Sequence, residues 1–93
     1  MPLEDYYSGN SAFNAMARSL ESEWVESELT ETLLAQVGGD RRLALVIYGT
    51  LLGDSLAWLD RPIPALEGAS PISCLKTHKG TRRVKECLMR FPR

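Results

Sequence analysis

The residues in this chain that can do chemistry are few, and their spacing argues against most of it. His78 is the sole histidine. It falls at the start of a predicted helix, where a solvated first-turn residue is a simpler reading than a general base. Cys74 and Cys87 stand 13 positions apart with no CxxC or HxxxH spacing around them. A disulfide is conceivable, but two small buried thiols in a reducing compartment fit better than a bridge, a nucleophile or a metal site. Glu23, Glu26, Glu28 and Glu31 gather on one face with no apolar pocket, the pattern of a solvated surface. Gly38-Gly39 lacks the lysine and spacing of a phosphate loop. The pattern predicts no enzyme, no cofactor and no metal. What remains is Lys79, Arg82, Arg83 and Lys85 on one short stretch, cations suited to carboxylates or phosphates.

That basic stretch belongs to a larger asymmetry. The net charge of −1 conceals eight acidic residues against Arg18 alone in residues 1–40, and ten basic against four acidic in residues 41–93. Two readings follow. The halves attract each other or present solvated faces, or the basic C-terminal face meets an acidic or phosphate-bearing partner. Ninety-three residues make one small domain, and an apolar content of 44% is ordinary for a globular chain. No run of 18 apolar residues occurs, and residues 1–10 lack a basic segment followed by an apolar one. The expectation is a cytoplasmic protein with no membrane span and no signal peptide.

The elements that must carry these charges are helical. Residues 1–10 show turn residues (Ser8, Gly9, Asn10) and no periodicity, predicting a mobile or loosely docked arm. Phe13, Met16, Ala17, Leu20 and Trp24 have helical spacing, with Asn10 or Ser11 as the cap. Val25, Leu29, Leu33, Leu34 and Val37 continue it, with a second start expected near Ser22 and a stop at Gly38-Gly39. Asp40 is the predicted cap of a central helix over 41–59, apolar around nearly its whole circumference, in which Gly49 and Gly53 signal a break or a close crossing. Arg61-Pro-Ile-Pro must be extended. Ser70 then caps a short helix over 71–76 with Pro71 at its first position. Thr77 caps the last helix, 78–90, with Pro92 beyond it and Val84, Cys87, Leu88 and Phe91 as its buried stripe. No strand alternation appears. The predicted class is all-α, a single small bundle of about four to five helices, with an acidic helical region over 1–40 and a second region over 41–93 in one compact unit.

The order of these signals from Trp58 onward resembles the toxin-binding domain of Xre/MbcA/ParS-type bacterial antitoxins. That pattern runs roughly W-L-x-x-P-N-x-x-L-x-G-x-x-P, then a leucine and a threonine, then G-x-x-x-V-x-x-x-L-x-R. Here it reads Trp58-Leu59, Pro62, Leu66, Gly68, Pro71, Leu75, Thr77, Gly80, Val84, Leu88 and Arg90. Ile63 stands where asparagine is usual, and the chain ends Arg90-Phe91-Pro92-Arg93 where members often end R-I-x-x-G. Most such antitoxins also carry a helix-turn-helix domain ahead of the pattern, and no such pattern is evident before Trp58.

The resemblance implies a core of Trp58, Leu66, Leu75, Val84 and Leu88. It also implies a protein that has no reaction of its own and neutralises a RES-type, NAD-consuming toxin by obstructing its active site. An immunity protein is a close variant. The implied contact residues are Asp60, Arg61, Ile63 and Glu67 on the tip from Asp60 to Ser70, and Lys76, Lys79, Arg82, Arg83 and Arg90 along the basic helix. Alternatives from other classes are a DNA-associated regulator using that helix, opposed by the acidic N-terminal half, and an oligomerisation module. In the latter, a homodimer, Trp24, Tyr48 and Trp58 would anchor the interface.

Overall fold

Four side chains keep the chain from running on as one helix. Ser27, Asp40, Ser70 and Thr77 each precede a helix in extended backbone geometry. Each side-chain oxygen accepts from the backbone N–H three residues on, at 3.3, 3.2, 3.4 and 2.9 Å respectively. In this way each satisfies a donor the helix cannot satisfy itself. The structure, a computed structural model, describes residues 3–7 and 9–91. Among the described residues there are no strands. The helices are α1 (Asn10–Ser19), α2 (Glu28–Gln36), α3 (Arg41–Leu51), α4 (Ser55–Asp60), α5 (Pro71–Cys74) and α6 (His78–Met89). The all-α class is as expected. Pro92 and Ser8 lie outside the described residues.

Two predicted starts move. α1 is preceded by Gly9 at φ 109° with no side-chain cap, so neither Asn10 nor Ser11 serves as one. The Asn10 side chain is engaged elsewhere: its Oδ1 accepts from the Tyr7 hydroxyl at 2.7 Å and from Lys85 Nζ at 3.3 Å. The second start is Ser27, not Ser22. Between α1 and α2 the chain makes a 3-10 turn over Glu21–Glu23 and then extends. Ser27 and Thr30 cap each other, Thr30 Oγ1 accepting from the Ser27 N–H at 2.9 Å. The same fully buried hydroxyl is 2.8 Å from the Val25 carbonyl oxygen, which fixes the entry to α2.

α3 is the axis of the fold. Leu43 to Ile47 are all buried, and α1, α2, α4 and α6 pack on it. A methyl group at Gly49 would sit 2.9 Å from Leu20 Cδ1, so this glycine lets the end of α1 close onto α3. The break comes just after, in a 3-10 turn over Leu52–Asp54. Leu52 itself takes φ 49°, ψ −122°, a conformation that strains any side chain, and it is more than half exposed. By length and composition alone Arg41–Asp60 is apolar enough to cross a membrane. Here the helix is interrupted, and Leu43 to Ile47, Trp58 and Leu59 are consumed by the core.

Trp58 is 3% exposed and meets Phe91 edge-on, ring centroids 6.0 Å apart. It therefore cannot anchor a self-interface. Trp24 and Tyr48 are half-buried against each other in a T-shaped pair at 5.8 Å. Of the core the resemblance implied, Trp58, Leu66, Val84 and Leu88 are buried and Leu75 is half-buried, with Cys74 taking the inner position. Both cysteines are free and buried, and burial pushes their thiols up. Because Thr77 makes the shortest of the four capping bonds, Thr77→Ala should cost about 1 kcal/mol, read as a lower urea midpoint at unchanged slope.

The largest departure is the N-terminal arm. Leu3–Tyr6 forms a 3-10 turn packed along α6, not a loosely docked tail. Glu4 is 2% exposed and Tyr7 is buried. The reason is charge and shape together: α6 offers a guanidinium that the core cannot solvate, and Glu4 completes it.

Candidate partner interface

The tip that follows α4 is held rigid by its own backbone. The Ile63 carbonyl accepts from Leu66 N at 2.9 Å and Gly68 N at 3.0 Å, while Ile63 N donates to the Ala69 carbonyl at 3.1 Å. Leu66, fully buried, pins this loop to the core. The outcome is a hydrogen-bonded loop with Asp60, Arg61 and Glu67 exposed and Ile63 half-buried. Glu67 sits at φ 60°, in the left-handed region, which turns its carboxylate toward α6. Its Oε2 lies 3.6 Å from Arg83 Nη1.

α6 is amphipathic in the expected sense. Gly80, Val84, Cys87 and Leu88 are buried, and its cations fan out over the rest. They do not form one continuous patch. Arg83 is 19% exposed and grips Glu4 with two bonds, Nε to Oε1 at 2.7 Å and Nη2 to Oε2 at 3.1 Å. Lys79 Nζ, far more exposed, lies 3.5 Å from the same carboxylate. The Arg83 hydrogen bonds, with the charges of Arg83 and Lys79, hold the Glu4 carboxyl down to about 2. The Glu4 contact in turn holds Arg83 more firmly protonated. Arg90 Nε bonds Glu86 Oε2 at 2.7 Å, and its guanidinium lies 5.1 Å from the Tyr6 ring centre. Arg82 lies 6.0 Å from the Tyr7 ring.

Of the nine contact residues named from the sequence, Glu67, Lys79 and Arg83 are thus brought together, around Glu4. Arg82 and Arg90 lie elsewhere on the same helix, each beside an aromatic ring of the arm. Asp60 and Arg61 are exposed at the end of α4, next to Ile63. Lys76 stands apart, lining a shallow groove with Val37, Gly38, Ile72 and Leu75. Sequence reasoning missed Glu4, Tyr6 and Tyr7 as members of this surface. The sole available signal was the excess of acid in the N-terminal half, which does not say which acid meets which base. Among the described residues no three His, Cys, Asp or Glu side chains are grouped as metal ligands.

The surface presents a hydrogen-bonded tip flanked by partly neutralised cations, an arrangement suited to docking. Residues 49–91, a little under half of the chain, match the family model of the antitoxin Xre/MbcA/ParS C-terminal toxin-binding domain. The match begins inside α3, later than the Arg41 boundary read from the sequence, and takes in the tip, α5 and α6. No curated protein and no solved structure matches the chain.

Proposed function

We propose that this chain, whose residues 49–91 match the family model of the Xre/MbcA/ParS toxin-binding domain, is an antitoxin or immunity protein that neutralises a RES-type, NAD-consuming toxin by covering its active site. The family match carries the reading. The rigid tip from Asp60 to Ser70 supports it, because a preformed projection enters a cleft without the cost of ordering a loop on binding. The exposed side chains of Asp60, Arg61, Lys79 and Arg82 supply polar contacts around that projection. Such a protein works by occlusion, with no reaction of its own, in the bacterial cytoplasm where the toxin consumes NAD. The DNA-associated alternative has less support: Arg83, Lys79 and Arg90 already face carboxylates within the chain.

The test is co-expression with the adjacent open reading frame, affinity purification and an NAD assay. The expected result is a stable complex in which NAD is spared and Arg61→Glu with Lys79→Glu releases the toxin. A neighbouring gene product that neither binds this chain nor consumes NAD would defeat the reading.

A further inference from the structure

Arg82 and Lys85 differ from the other cations of α6. Lys79 and Arg83 share Glu4, and Arg90 has Glu86, but among the described residues neither Arg82 nor Lys85 has a carboxylate in ion-pair range. Both line a cleft of about 210 Å3 between the arm and the first turns of α6, together with Tyr7, Asn10, His78 and Thr81. Among the described residues, no acidic side chain lines it. At about 30 Å3 per water, the cleft has room for several waters or for a phosphate group and part of what it is attached to.

The cations are positioned without being neutralised. Arg82 rests beside the Tyr7 ring at 6.0 Å and Lys85 beside Phe13 at 5.0 Å, contacts that orient a charge and leave its donors available. Asn10 Oδ1 takes bonds from both the Tyr7 hydroxyl and Lys85. That assignment leaves the Asn10 amide N–H groups as further donors at the cleft. Two cations three residues apart on one helix repel unless a counter-charge lies between them.

We propose that this cleft binds a phosphate group, held by Arg82 and Lys85 with Asn10 and His78 as supporting donors. The ligand is either inorganic phosphate or the phosphate of a nucleotide. Arg82 is shared with the proposed toxin contacts, but the proposal is tested on the free protein, so its failure leaves the toxin reading untouched.

The experiment is an amide NMR titration of the full chain with inorganic phosphate and, separately, with AMP, each at constant ionic strength balanced by chloride. The expected result is saturable shifts confined to Asn10, His78, Arg82 and Lys85, and affinity lowered about tenfold or more in the Arg82→Gln/Lys85→Met variant. Both replacements lie outside the buried stripe and suit a helix, so an unchanged amide spectrum elsewhere will show that the variant is folded. Tighter binding of AMP assigns the site to a nucleotide, and equal affinity assigns it to free phosphate. Shifts that do not saturate, that chloride reproduces, or that persist undiminished in the double variant overturn the proposal.

Discussion

Gly80→Ala should unseat the last helix. A methyl group at Gly80 would drive into the Cys74 carbonyl and stand 2.9 Å from Thr77 Oγ1. Neither neighbour can retreat. The Cys74 carbonyl ends α5 and accepts from the Thr77 N–H at 3.4 Å. Thr77 Oγ1 caps the Gly80 N–H itself at 2.9 Å. To admit the methyl group, α6 must move off α5, and with it Val84, Cys87 and Leu88 leave the core. Overpacking against backbone, combined with a lost cap, should cost about 3 kcal/mol or more. In a domain this small that lowers Tm by roughly 15 °C, measured by circular dichroism. Gly53→Ala is the control. A methyl group there meets nothing within 4 Å, so it should leave Tm unchanged or slightly raised. A Gly80→Ala protein that melts with the wild type would show that α5 and α6 are not packed as described.

Glu4→Gln should undock the arm, and its effect should depend on pH. Gln keeps the shape but removes the charge that Arg83 and Lys79 hold. Half-buried, Arg83 then loses its two-bond partner and keeps only the longer contact to the exposed Glu67. A drop in Tm of order 10 °C is expected at neutral pH. The folded carboxyl is lowered to about 2 from an ordinary 4.5. A lowered acid stabilises the fold above its unfolded value, and that contribution fades as pH falls toward the folded value. The wild type should therefore lose its advantage over Glu4→Gln progressively as pH falls from 4.5 through about 2, and below that the two should melt together. No gap at neutral pH would mean that Glu4 contributes packing and not charge. Faster hydrogen exchange at the amides of residues 4–7 in Glu4→Gln would report the undocking directly.

Where the sequence was readable, the physics was local. Asp40, Ser70 and Thr77 cap the helices they precede because a cap needs only its own side chain and an N–H three residues on. Ser27 obeyed the same rule and was missed because its reciprocal partner is Thr30, not the glutamate that usually marks such a start. Trp58, Leu66, Val84 and Leu88 were found as core by pattern. Gly80 was found as a pattern member, but why it must be glycine came from a carbonyl of the preceding helix. The arm was unreadable. Its periodicity is absent, and its partner is 79 positions away. Attraction between the halves was one of the readings the charge split left open, and Glu4 with Arg83 and Glu21 with Arg41 are pairs of that kind. Nothing in residue order selects those pairs from the alternatives.

The Glu4–Arg83 contact also sets an order of events. It closes nearly the whole chain into a ring, and a ring of that size carries a large loop-closure entropy unless the intervening helices have already drawn its ends together. The arm can then dock only on a finished α6, after α3 has gathered its neighbours. During synthesis, residues 3–7 emerge some seventy residues ahead of α6, and Tyr6 and Tyr7 wait for the cations beside which they settle. A segment made well before its partner is thus folded after it, and the same segment should be the first to open when the native protein fluctuates.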